Sequence, residues 1–75
     1  MESMLKRSRE RFGMTLEHAA RCLGISPGYL LQIEKGLRGV GAPRAERIAE
    51  LYGMEMEELF VPVRYTARLY KGGKL

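Results

Sequence analysis

The sequence is short of most things from which a catalytic, secreted or membrane protein is built. It holds one cysteine, Cys22, so no disulfide can close within the chain. That fits a reducing compartment and speaks against a secreted scaffold. No apolar run approaches the roughly 20 residues that span a bilayer. The charges of the opening MESMLKRSRERF are followed by no apolar stretch, so a secretory signal is not expected there. Internal repeats and low-complexity tracts are absent. There is no nucleophile–base pair, no phosphate-cradling glycine loop and no cluster of metal ligands. His18 and Cys22 stand four apart, a helical spacing for two ligands, but no further ligand gathers near them. They read as a chance surface pair. The expectation is a cytoplasmic, non-enzymatic chain with no cofactor and no metal.

At 75 residues one domain is the ceiling. A chain of this size buries roughly 60% of its unfolded surface. One core is expected, and a deep substrate pocket is not.

Acid is missing from one region in particular. The net charge is +4, yet residues 1–60 hold nine basic and nine acidic residues. Residues 61–75 hold Arg64, Arg68, Lys71 and Lys74 and no acid. A basic balance points to a polyanionic partner, and here it points from the tail.

What is present is helical. Residues 3–12 place Leu5, Ser8, Arg9 and Phe12 on one face, with Lys6, Arg7, Glu10 and Arg11 on a solvated one. A second segment, 16–23, begins after Thr15 as N-cap and has a narrow face of Ala19, Ala20 and Leu23. A third, 27–35, begins after Ser26 as N-cap and carries Pro27 at its first position. Ile25 and Leu30 have the spacing of a hydrophobic staple, and Leu30 and Ile33 form the buried stripe. After a glycine-rich loop, a fourth helix from Pro43 to Leu51 or Tyr52 turns Ala45, Ile48, Ala49 and Tyr52 inward. A short fifth, 56–60, begins among Glu55, Glu57 and Glu58, which suit the positive end of a helix. Gly13, Gly24, Gly36 and Gly53 each stop a segment. The five methionines read as core filler.

Residues 15–36, TLEHAARCLGISPGYLLQIEKG, combine these signals into helix, tight turn, helix. Small residues at 19 and 20 let a second helix cross closely. Gly24 makes the turn, Ile25 buries beside it, and Ser26 caps the second helix. Pro27, Gly28, Leu31 and Gln32 are left to face outward. A helix presented in this way can enter the major groove of DNA.

On these residues the chain resembles the phage-repressor and Cro-like helix-turn-helix domains, the XRE-like family. The likeness runs over 5–60. It is carried by Leu5, Arg9, Gly13-Met14-Thr15, Glu17, Ala20, Leu23-Gly24-Ile25-Ser26, Tyr29-Leu30, Gln32-Ile33-Glu34-Lys35-Gly36, Ile48-Ala49, Gly53 and Glu58-Leu59-Phe60. The resemblance implies an all-α, five-helix domain over 1–60 that binds double-stranded DNA as a transcriptional regulator, a repressor of its own or a neighbouring promoter. It places Gln32 at a base, where glutamine pairs with adenine. It places Thr15, Ser26, Pro27, Gly28, Tyr29 and Leu31 along the DNA face, with Lys35 and Arg38 at phosphates. Arg9 and Glu34 would form a buried structural ion pair between helices. Leu16, Pro27, Gly28, Leu31 and Val40 depart from the residues usual in the family. The reading face is therefore poor in hydrogen-bonding groups, and contacts to thymine methyls or to the backbone would compensate.

Residues 61–75 form a separate basic tail, a short strand or an extended arm. Val61, Val63, Tyr65, Ala67 and Leu69 alternate with polar residues, a strand signal over 61–70. Pro62 suits only its start or an edge. A lone strand has no partner inside a five-helix domain. The tail is thus disordered, or a basic arm on DNA, or, the favoured reading, half of a ribbon formed with a second copy across a two-fold axis. Such a homodimer would present two recognition helices about 34 Å apart. Two rivals stand beside this reading. One is an antitoxin that binds operator DNA and takes a protein partner through the tail. The other is a DNA-blind interaction module.

Overall fold

Each of the first three helices begins where a hydroxyl can close its first turn. Ser3 Oγ accepts from the Lys6 amide at 3.2 Å, Thr15 Oγ1 from the His18 amide at 3.0 Å, and Ser26 Oγ from the Tyr29 amide at 3.1 Å. Each such cap stabilises its helix by about 1 kcal/mol. The computed structural model describes residues 2–69. It orders them as α1 (Met4–Arg11), α2 (Leu16–Leu23), α3 (Pro27–Glu34), α4 (Ala42–Tyr52) and α5 (Met56–Leu59). Then come β1 (Phe60–Val61), a single 3-10 turn at Val63–Tyr65, and β2 (Thr66–Ala67). The domain is all-helical apart from this short C-terminal sheet.

Gly24 sets the angle between α2 and α3. It adopts the left-handed conformation, φ 71°, and lets the Ile25 amide donate back to the Ala20 carbonyl at 3.0 Å. Only Ile25 and Ser26 then separate it from α3. Ala19 and Ala20 are fully buried, so α3 settles directly on α2. Leu5, Leu30, Ile33, Ile48, Leu59 and Phe60 form the centre of the core. The inward residues expected of the fourth helix, Ala45, Ile48, Ala49 and Tyr52, are all buried. Among the described residues no helix is long and apolar enough to cross a membrane.

Two expectations are corrected. Phe12, grouped by period on one face with Leu5, Ser8 and Arg9, is 56% exposed while those three are buried. It is the C-cap of α1, one position beyond the last full turn, and its ring meets that of Tyr52 at 6.4 Å. The second correction concerns the tail. The strand expected to lack a partner inside the domain finds one, because the chain reverses after two residues. Phe60 pairs with Ala67 and Val61 with Thr66, antiparallel. Pro62 opens the reversal, and Arg64 and Tyr65 complete it at φ 62° and 45°.

The returning segment is tied to three other parts of the molecule. The Arg68 amide donates to the Leu59 carbonyl at 2.8 Å, and the Met4 amide donates to the Arg68 carbonyl at 2.7 Å. The Val40 amide reaches the Tyr65 carbonyl at 3.3 Å, and Ser3 bridges Leu69. Arg68 also donates from Nε to the Glu57 carbonyl and from Nη2 to that of Phe60, each at 3.1 Å. The Tyr65 ring stands edge-on to Phe60 at 6.4 Å, and Ala67 packs beside it on the core. Gly39 is needed for this closure, since a Cβ there would overlap the Arg64 carbonyl oxygen. Tyr70, Lys71 and Lys74 lie outside the described residues.

Candidate nucleic-acid interface

The outer side of α3 is flanked by cations on neighbouring segments and left open between them. Leu30, Ile33 and Glu34 are buried against α1 and α2. Pro27, Gly28, Leu31, Gln32 and Lys35 are exposed. Ser26 and Thr15 lie at the exposed starts of α3 and α2, where their hydroxyls accept the capping bonds. Nothing lies within 4 Å of a Cβ built on Gly28, so the first turn of α3 presents nearly bare backbone. Gln32 is the neutral hydrogen-bonding side chain of this face. Leu31, 38% exposed, lies beside it.

Cations border the face. Lys35 is the C-cap of α3 and Arg38 lies in the loop beyond it, both exposed. Tyr29, half-buried in the first turn of α3, packs on the core, and the guanidinium carbons of Arg38 and Arg44 lie 5.4 and 5.5 Å from its ring centroid. Arg44 was not among the residues that the sequence suggested. It belongs to α4, and no spacing links it to Tyr29. The backbone of Arg64 comes close to the α3–α4 loop at Gly39.

Behind the face is a buried ion pair. Arg9 Nε donates to Glu34 Oε2 at 2.7 Å and Nη2 to Oε1 at 3.2 Å, a two-pronged bond from α1 to α3. Arg9 Nη1 also donates to the Met14 carbonyl at 3.0 Å. The Glu34 bond holds the Arg9 pKa above its ordinary value against the opposing effect of burial. Tyr52 lies behind the pair. Burial, and then the Glu34 carboxylate, push its phenol well above the usual tyrosine range, with Arg9 opposing. The pair ties α3 to α1. His18 and Cys22 gain no third ligand, and the described residues contain no group of three that could hold a metal. The hydrophobic residues proposed for a ribbon are dispersed. Val61 and Ala67 are in the sheet, Tyr65 and Val63 in the turn, and Leu69 at the exposed end.

Comparison with known proteins agrees with this architecture. A family model described as a helix-turn-helix domain matches residues 4–60. A protein of Methanocaldococcus jannaschii, named an uncharacterized HTH-type transcriptional regulator, is 33% identical over 61 residues. Those residues span 81% of the chain and 92% of the relative. No solved structure matches the chain. Since that family model covers most of the chain, from residue 4 to residue 60, the chain belongs to the helix-turn-helix domain family.

Proposed function

We propose that the protein is a sequence-specific DNA-binding repressor that lays α3 in the major groove. The observation that carries this reading is the arrangement of α3. Its inner side is locked by Leu30, Ile33 and the Arg9–Glu34 pair, while its outer side is open and bordered by Lys35, Arg38 and Arg44. A rigid helix with cations beside it satisfies both demands of groove recognition. Phosphate contacts set position and side chains on the helix read base edges. Gln32 is the base reader, suited to adenine, and exposed Leu31 beside it suits a thymine methyl. The relative's name, a transcriptional regulator, supports the same reading.

The test is a mobility-shift titration with mixed genomic fragments at several salt concentrations, and then selection from a randomised duplex pool. Binding that weakens with salt, and enrichment of a defined motif, are the expected results. No shift at the lowest salt removes the DNA reading. A shift without any enriched motif removes sequence specificity. A reporter fused to an enriched site then tests repression, which predicts lower output when the protein is supplied.

A further inference from the structure

Tyr29 holds two like charges on one ring. The Arg38 guanidinium carbon lies 5.4 Å from its centroid and that of Arg44 lies 5.5 Å from it. Both are within the range at which a cation is attracted to an aromatic face. Neither has an acidic side chain within ion-pairing distance among the described residues. Each guanidinium therefore has the ring and water as its neighbours, without an ion-pair partner among the described residues. Such a pair stays positive outward and gains from an anion placed beside it. The guanidinium fork matches phosphate oxygens better than any other cationic side chain. Tyr29 also belongs to the first turn of α3, so the pair borders the proposed reading helix and is not at a remote site.

We infer that Arg44, outside the helix-turn-helix itself, contacts a backbone phosphate of bound DNA, and that Tyr29 sets its position together with that of Arg38. This rests on the DNA-binding reading above. Tyr29 acts through the arginines and touches no base. The loop after α3 and the start of α4 thus form one clamp, whose two charges come from separate elements and whose geometry comes from a shared ring.

The experiment is fluorescence anisotropy of the full chain with a labelled duplex of mixed sequence, between 50 and 200 mM salt. Non-specific binding is sufficient, because phosphate contacts dominate it. Arg44→Ala lowers the magnitude of the log–log salt slope by about 0.9, so that raising salt across this range costs roughly threefold less affinity than in the wild type. Arg44→Lys retains the slope, since the charge remains. Tyr29→Phe matches the wild type because the ring face remains. Tyr29→Leu weakens binding, and adding Arg44→Ala to it weakens binding less than Arg44→Ala does alone.

An unchanged slope in Arg44→Ala overturns the phosphate contact. Full additivity of Tyr29→Leu and Arg44→Ala overturns the positioning role. Thermal unfolding shows which variants are folded. Arg44 is half-exposed, so its substitutions remain informative where Tyr29→Leu does not fold, and Tyr29→Phe then carries the ring comparison: a loss of slope in it counts against the ring face. If the wild-type protein fails to bind any duplex at the lowest salt, the DNA reading itself falls, a result distinct from an unaltered slope.

Discussion

Arg9 and Glu34 meet across the core through two hydrogen bonds, 2.7 and 3.2 Å long, and so fasten the first helix to the third. Their side chains are only 10% and 2% exposed, so neither charge is compensated by water. Removing one partner leaves the other buried and unpaired, at a cost of about 3–5 kcal/mol. Glu34→Ala and Arg9→Met should each lose stability of that order in urea unfolding. The double variant Arg9→Met/Glu34→Leu should recover much of it, because no orphaned charge remains. A double variant as unstable as the worse single would show that the pair is not the source of the loss.

How far the sequence announces this structure depends on the range of the interaction. Thr15, Ser26 and Gly24 act on their own or adjacent turns, and their roles are readable from type and spacing, whereas Ser3, counted into the first segment, caps it instead. The inward positions of α4 follow from its period. The tail is different. Its reversal uses left-handed backbone at Arg64 and Tyr65, where neither a glycine nor an asparagine announces a turn. The alternation over 61–70 therefore suggests an uninterrupted strand. The strand's partner is simply the pair of residues just before the turn, Phe60 and Val61. The Arg9–Glu34 pair came from resemblance rather than from spacing, since 25 residues separate the two. Arg44 was silent because a cation–aromatic contact between separate elements leaves no periodic trace.

Gln32 is exposed, uncharged and central on the outer side of α3. Gln32→Ala should reduce affinity for a selected site by about 1–3 kcal/mol and relax preference at one base pair. Binding to mixed-sequence duplex should hardly change. Lys35→Ala should instead weaken all sequences alike and reduce the salt slope. Competition titrations of each variant against selected and scrambled duplexes separate the two effects. Equal losses on both duplexes for Gln32→Ala would remove it as the base reader.

The tail's backbone is engaged within the chain, at Leu59, at Val40 and at Met4. Truncation after Phe60 removes Tyr65 and Ala67 from the core surface and strips the amides of Val40 and Met4 of their acceptors. Each lost buried bond costs about 1 kcal/mol or more, so a loss of several kcal/mol is expected, with a fall in Tm. Light scattering on the same pair of proteins addresses the ribbon. A dimeric full chain and a folded, monomeric truncate would locate dimerisation in the tail. A truncate as stable as the full chain would contradict the structural role argued for these bonds.

Tyr52 is 4% exposed, and its hydroxyl has no hydrogen-bond partner among the described residues. Burying an unsatisfied hydroxyl is unfavourable, so Tyr52→Phe should be neutral or stabilising by about 1 kcal/mol at pH 7. Its pH dependence is more discriminating. In the native state burial and Glu34 raise the phenol's pKa well above the ordinary value. In the unfolded chain that value is about 10. Above it the unfolded state gives up a proton that the folded state keeps, so fewer protons are bound unfolded than folded. Stability from this group is thus complete below about pH 10 and declines as the pH rises above it. Urea unfolding of wild type and Tyr52→Phe between pH 8 and about 11 isolates the term, since every other titrating group is common to both. The stability difference should be flat to about pH 10 and then move in favour of the phenylalanine variant. A difference that stays constant across the whole range would mean that Tyr52 ionises alike in both states and that its phenol is hydrated in the fold.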